Sequence, residues 1–260
     1  MSLNSSAASA PSGFKAPGAP GRVVRSALGV EALLAVVLAV VTFVAASGDQ
    51  LFRFPTVVSG STQPAPFSFF PEPLRAGIWI GWLVSLVSGV SWLIWQHRAQ
   101  ANVWVVGGDP APTIKPGWAV GWWFVPFANL FMPFKAVREL SQHSAAMRGE
   151  RPEASSVTLG TWWTLWLATL LVGVAGVLSL SGLVSSRMAL GVLAGVEEVV
   201  VSMDEMRTAV QVLGLSFVLR AGAAMLAIVV VGDIERDQSA AAGFDRTPAR
   251  PDVEPVVQDP

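Results

Sequence analysis

Cysteine and tyrosine are absent from the 260-residue chain, and histidine occurs only twice. Without cysteine, the chain has no disulfide, no thiolate metal site and no cysteine nucleophile. His97 and His143 are the only imidazoles, so a histidine-based zinc site is not expected. We therefore predict no metal, no cofactor and no catalytic residue, and we expect that the protein is not an enzyme.

Charge is also scarce, at 13% of residues, where soluble domains carry about 25%. The formal net charge of −1 gives no reason to expect nucleic acid as a partner. Hydrophobic residues make up 52% of the chain and the mean hydropathy is +0.54. This composition is typical of a membrane protein.

Four apolar runs carry most of this hydropathy. Each reaches the roughly 20 residues that a helix needs to cross a bilayer. Because a backbone in lipid must satisfy its own hydrogen bonds, the runs are predicted to be helices. The sequence thus predicts an all-α, polytopic membrane helix bundle over 26–238, with spans at about 26–47, 76–96, 160–182 and 208–232. The flanking arm 1–25 and tail 239–260 are predicted to be disordered.

The distribution of lysine and arginine predicts the orientation. These residues concentrate in the arm, in the tail and between the second and third spans, whereas the other two connections carry only Arg53, Arg75, Arg187 and Arg207. Cationic residues stay on the cytoplasmic side of membranes. We therefore predict a multi-pass protein of the cell membrane with both termini in the cytoplasm.

The aromatic stretch from 117 to 134 admits two interpretations. It is barely long enough to be a fifth span, and Pro133 would leave a backbone acceptor unpaired in lipid. The favoured alternative is a re-entrant or interfacial element broken by Pro126 and Pro133. It continues to about 147 as an amphipathic helix, whose polar stripe is Lys135, Arg138, Glu139 and Gln142.

Several short motifs appear in a fixed order along the chain. They are Trp95, Arg98, Ala99 and Asn102 at the end of the second span, a Pro-Gly-Trp at 116–118, the run from Trp123 to Leu130 with Pro133, Arg138 and Glu139, and a closing segment at 233–238. This order resembles the bacterial integral membrane family catalogued as domain of unknown function 4328, over roughly residues 26–238. The resemblance implies a fold of several membrane helices and no established activity.

Two charged residues fall inside predicted spans. Arg220 lies near the middle of the fourth span, and Glu31 lies about two turns into the first. Because an unpaired arginine in hydrocarbon is unfavourable, we expect the two to pair. Such a pair is either a structural latch within the bundle or part of a gate, proton relay or anion contact.

A second group of candidate residues surrounds the broken stretch. Its members are Arg98, Asn102, Trp123, Pro126, Asn129, Pro133, Arg138 and Glu139. With Lys135, the basic and amide members are predicted to form either a site for lipid phosphates or small anions, or a set of caps for irregular backbone. Farther on, Leu193, Val196, Val199, Val200 and Met203 predict a short amphipathic helix on the membrane.

These features favour a non-enzymatic scaffold, sensor or accessory subunit with a cytoplasmic aromatic–basic surface. Its expected partners are the lipid bilayer and either anionic lipid headgroups or another membrane protein. The alternative is a small-molecule or ion transporter with Arg220 near the midplane.

Overall fold

The structure is a computed structural model that describes residues 13–15, 18–48, 51–55, 72–107, 111–148, 155–196 and 198–243. Its regular elements are α1 (Gly18–Ala46), β1 (Leu51–Pro55), α2 (Glu72–Val106), α3 (Pro116–Gly121), α4 (Met132–Met147), α5 (Ser155–Leu193), β2 (Glu198–Ser202) and α6 (Met203–Gly243).

Four of these helices, α1, α2, α5 and α6, are long and apolar enough to cross a membrane. The predicted bundle of four transmembrane helices is therefore confirmed. All four exceed the span of about 20 residues that a bilayer requires, since they contain 29, 35, 39 and 41 residues. Their ends must consequently project beyond the hydrocarbon.

The helix boundaries differ from the prediction at both ends of the chain. Helix α1 begins at Gly18, inside the arm predicted to be disordered, and α6 continues to Gly243, inside the predicted tail. The added residues of α1 pack against α6, since Gly21 and Val24 are buried and Arg25 lies 3.3 Å from Glu235, which a disorder-like composition does not reveal. Residues 1–12 and 244–260 lie outside the described residues.

Helices α1 and α6 form the centre of the bundle, with α2 packed on α1 and α5 packed on α6. The buried face of α1 consists mainly of small residues at helical spacing, among them Gly21, Ala32, Ala35 and Ala39. Small side chains let two helix backbones approach closely in a membrane. Helices α5 and α6 are also in close contact, because a Cβ on Gly176 of α5 would come within 2.8 Å of the Leu213 side chain of α6.

The two strands form an antiparallel ribbon at one end of the bundle, with Leu51 opposite Ser202 and Pro55 opposite Glu198. The predicted amphipathic helix over 193–203 is therefore wrong. Its helical spacing comes from three consecutive valines, and β-branched residues favour strands. Val201 is fully buried and Val200 is 47% exposed, which is the alternation of a strand.

The aromatic stretch forms no fifth long helix. Helix α3 has six residues and is followed by two 3₁₀ turns, Trp122–Phe124 and Ala128–Leu130, before α4 begins. Helix α4 is amphipathic as predicted: Ala136, Val137 and Leu140 are buried, whereas Lys135 and Arg138 are exposed. This end of the bundle, where α4 covers the ends of α2 and α6, is called the α4 end below.

Candidate functional site

A cluster of tryptophans fills the α4 end of the bundle. Trp92 of α2 lies 5.1 Å from Trp162 of α5, measured between ring centroids. Trp123 packs edge-on against Trp166 at 5.5 Å, and Trp163 stacks on Trp166 at 4.7 Å. These rings join α2 to α5 and hold the segment after α3 against both helices.

Gln96 lies at the centre of this cluster and is fully buried. Its Oε1 accepts hydrogen bonds from the indole Nε1 atoms of Trp92 and Trp123, at 3.0 and 2.8 Å. Its Nε2 donates to the backbone oxygen of Ala119 in α3 at 3.2 Å. One amide therefore pairs one buried and one partly buried indole and fixes α3 to α2.

One turn later, Gln100 anchors the loop that leads into α3. Its Nε2 donates to Ile114 O at 3.0 Å. From the other side, the Glu139 carboxylate of α4 accepts hydrogen bonds from the backbone N–H groups of Thr113 and Ile114, both at 2.9 Å, and from the Thr113 hydroxyl. Glu139, a predicted site residue, thus holds backbone in place.

Asn102 has a comparable structural role. It exchanges two hydrogen bonds with the backbone of Lys15, at 3.0 and 2.9 Å, and its Nδ2 also donates to Gln238 Oε1 at 2.9 Å. Gln238 in turn donates to Ala99 O at 3.0 Å and to the Ser144 hydroxyl at 3.2 Å. These bonds tie the N-terminal segment, α2, α4 and α6 together.

An exposed surface lies beside this buried network. We define the aromatic–basic surface as Trp118, Phe124, Phe127, Phe131, Lys135 and Arg138, all of which are exposed. Phe127 is the most exposed of its aromatic members, at 80%. The segment beneath is fixed, since Trp163 Nε1 donates to Leu130 O at 3.2 Å.

The backbone at Phe127 is strained. Its φ of 62° and ψ of −44°, with a hydrogen bond of 2.7 Å from Ala128 N to Pro126 O, describe a γ-turn of the rare form. It is the one non-glycine residue with positive φ in the described ranges. Such strain persists only where the surrounding structure imposes it, and it concentrates at functional sites.

The remaining members of the predicted polar cluster do not converge on one point. Arg98 lines a shallow groove of about 340 Å³ with Lys15, His97 and Asn102, and no residue of α4 lines that groove. Asn129 is half-buried, Pro126 is exposed at the γ-turn, and Pro133 is buried in the first turn of α4. The groove therefore brings Arg98 and Asn102 together and does not include Arg138.

The two charges predicted inside the spans lie together. Arg220 Nε and Nη2 donate to Glu31 Oε1 at 2.9 and 2.7 Å, and Nη2 also donates to the Ser85 hydroxyl of α2. The contact joins α1, α2 and α6. The Glu31 side chain is 14% exposed and that of Arg220 is 36% exposed.

Two further ion pairs at the α4 end were not singled out from the sequence. Arg148, just after α4, donates to Asp237 of α6 at 2.8 Å. Arg25 of α1 lies 3.3 Å from Glu235 of α6. The sequence carries a signal for these pairs. Arg25 directly precedes the first apolar run, and Glu235 and Asp237 follow the last one, on helices α1 and α6 that extend beyond the hydrocarbon.

Residues 74–236 match the family described as Domain of unknown function (DUF4328). The match begins in α2, so α1 and β1 lie outside it, whereas the resemblance seen in the sequence extended to about residue 26. Arg220 and the aromatic–basic surface fall within the matched segment and Glu31 does not. The chain has no match among curated proteins or among solved structures.

Proposed function

The chain belongs to the DUF4328 family, and on that premise we propose that it is a non-enzymatic scaffold or accessory subunit of the cell membrane. Its working surface is the aromatic–basic surface, which binds a second membrane protein. The observation that carries the proposal is Phe127, a large apolar side chain 80% exposed on a strained γ-turn above a fixed framework.

The non-enzymatic role is supported by how the polar groups of the α4 end are used. Gln96, Asn102 and Gln238 are buried, and their amides bond to indoles, hydroxyl, backbone or one another. Gln100 is also buried and donates through Nε2 to backbone, whereas its Oε1 has no partner among the described residues. Glu139 is occupied by backbone N–H groups. These side chains stabilise structure, which leaves the exposed aromatic and basic groups as the surface for recognition.

The proposed orientation places the α4 end in the cytoplasm. Lys115, Lys135, Arg138, Arg148 and Arg236 all belong to this end, whereas Arg187 and Arg207 lie at the end that carries the strands. Cationic side chains near the ends of spans are retained in the cytoplasm. Both described ends of the chain, at Gly13 and Gly243, then face the same compartment.

The chemistry of the surface specifies the kind of partner. Exposed aromatic rings anchor protein interfaces when a partner covers them, and neighbouring cations select an acidic rim. Phe124, Phe127 and Phe131 supply the rings, and Lys135 and Arg138 supply the charge. We therefore expect an apolar patch bordered by carboxylates on the partner, at the level of the membrane surface.

The test is photocrosslinking in cells, with benzoylphenylalanine in place of Phe127. A discrete protein adduct is expected, and its yield should fall at least fivefold when Lys135→Glu and Arg138→Glu are added. The matched control carries the same probe in place of Leu33, which is 67% exposed on the apolar outer face of α1. If position 127 gives lipid adducts alone, as Leu33 should, the scaffold proposal is wrong and the surface is a membrane anchor.

One observation favours a second candidate, the transport of an ion or small molecule. The Arg220 side chain is 36% exposed although it pairs with Glu31 in the middle of the bundle. The test is chloride and potassium flux into proteoliposomes. Flux that disappears in Arg220→Gln at an unchanged melting temperature would support transport, and flux equal to that of protein-free liposomes would exclude these two ions.

A further inference from the structure

A cleft lies where the first turns of α1 meet the last turns of α6. Its volume is about 340 Å³, and it is lined by Gly18, Arg22, Arg25, Gly232, Glu235, Arg236 and Ser239. We call it the arginine cleft. None of its residues belongs to the aromatic–basic surface.

Three guanidinium groups line the cleft, and they differ in how they are held. Arg25 is fixed, because its Nη2 lies 3.3 Å from Glu235 and its Nε donates to Gly21 O at 3.3 Å. Arg236 pairs with Asp233 at 3.0 Å, but both side chains are well exposed, so this pair is weak. Arg22 is exposed and makes no direct ion pair among the described residues, although its charge also attracts the Glu235 carboxylate. The cleft thus offers guanidinium N–H groups to a ligand.

Glu235 controls the position of Arg25. The Glu235 side chain is 9% exposed, and a Cβ on Gly21 would lie 1.3 Å from its Oε1. The carboxylate therefore occupies space that exists only because residue 21 is glycine. The buried carboxylate lies 3.3 Å from Arg25, whose side chain is 41% exposed, so Glu235 is a positioning residue for that guanidinium group.

The level of the cleft in the bilayer indicates the kind of ligand that it binds. Arg25 directly precedes the apolar run at 26–47, and Arg236 follows the run that ends at 232. Both arginines therefore lie where the hydrocarbon ends and the headgroups begin. Basic pockets between transmembrane helices at this level bind lipid headgroups, and the planar guanidinium group matches phosphate oxygens in pairs.

We propose that the arginine cleft binds one phosphate group, supplied by the headgroup of an anionic lipid. Arg22 and Arg236 contact the phosphate oxygens, and Arg25, held by Glu235, supplies the third cation. The site is independent of the aromatic–basic surface and of any partner that binds there.

The test measures ligand binding to the full-length protein in a neutral detergent. The probes are short-chain phosphatidylglycerol, short-chain phosphatidylcholine and inorganic phosphate, and the readout is lipid retention in native mass spectrometry together with the shift in melting temperature. We expect phosphatidylglycerol to bind at least tenfold more tightly than phosphatidylcholine. The double variant Arg22→Gln with Arg236→Gln should lose at least 90% of this binding.

The control variant is Arg187→Gln, which removes one exposed cation at the opposite end of the bundle. It should retain wild-type binding of phosphatidylglycerol. Equal binding by the double variant, or an equal loss in Arg187→Gln, would overturn the proposal. If inorganic phosphate binds as tightly as the lipid and depends on the same arginines, the phosphate site stands but a lipid source is wrong.

Discussion

At the scale of single residues, the α4 end depends on a few buried amides and one glycine. The amides matter because a polar group removed from water must find a partner inside the protein. Gln96 has three partners and Gln238 has three, and none of them is close in sequence except Trp92. These side chains specify how the irregular segment and α4 pack on the long helices.

We predict that Gln96→Leu destabilises the protein. The leucine cannot accept from Trp92 and Trp123 or donate to Ala119 O, and each buried group left unpaired costs about 1–3 kcal/mol. The free energy of unfolding should fall by about 3 kcal/mol, with a change in tryptophan fluorescence, when thermal unfolding is followed in detergent. Gln142→Leu, on the exposed face of α4, is the control. Equal melting of the two variants would show that the amide network contributes nothing.

A second prediction concerns Gly21. In Gly21→Ala the new methyl group would overlap Glu235 Oε1, so either the carboxylate or the helix must move. Overpacking of this kind lowers the free energy of unfolding by about 1–3 kcal/mol. In a Glu235→Ala background, the same Gly21→Ala change should cause no further loss. Additive effects of the two changes would contradict the contact, and Gly29→Ala, which meets no atom within 4 Å, is the control.

At the scale of elements, the long helices can be predicted from the sequence because they must satisfy their backbone hydrogen bonds in lipid. The short elements cannot be predicted in this way. An apolar run of this length must form a helix in a bilayer, so α1, α2, α5 and α6 follow from the sequence, as does a partner for Arg220. Strand β2 was missed because its pairing depends on β1, which is far away in sequence. Likewise, the contacts of Gln96 and Gln100 depend on how the loop before α3 folds back, and spacing along one helix carries no such information.

The broken segment between α3 and α4 supplies the prediction at this scale. Phe127→Gly should relieve the strain of the γ-turn, because glycine adopts positive φ freely. We expect the free energy of unfolding to rise by about 1 kcal/mol, within the range for one strained residue. The variant should nevertheless lose partner binding, since the exposed ring is gone.

The control for this prediction is Phe124→Gly, which is 71% exposed and is not among the residues with positive φ. It removes an exposed ring of the same surface without relieving strain, so no gain in stability is expected. A loss of stability in Phe127→Gly would mean that the ring supports the fold and is not held for recognition.

At the scale of the whole molecule, the proposed roles of both surfaces depend on which side of the membrane each end of the bundle faces. Helices α1 and α6 run antiparallel, because the start of α1 contacts the end of α6, and Arg207 near the start of α6 donates to Ala46 O at the end of α1 at 2.8 Å. One orientation therefore fixes the location of the aromatic–basic surface and of the arginine cleft together. If the α4 end is cytoplasmic, the arginine cleft faces the anionic lipids of the cytoplasmic leaflet. The aromatic–basic surface then faces its proposed protein partner on the same side of the membrane.

The most direct measurement uses the absence of cysteine from the chain. Arg138→Cys places a single thiol on the exposed face of α4, and Arg187→Cys places one near the opposite end of α5. Intact cells producing either variant are treated with a maleimide that cannot cross the membrane. We predict that position 187 is labelled and that position 138 is labelled only after the membrane is opened. Labelling of position 138 in intact cells, with position 187 protected, would contradict this prediction.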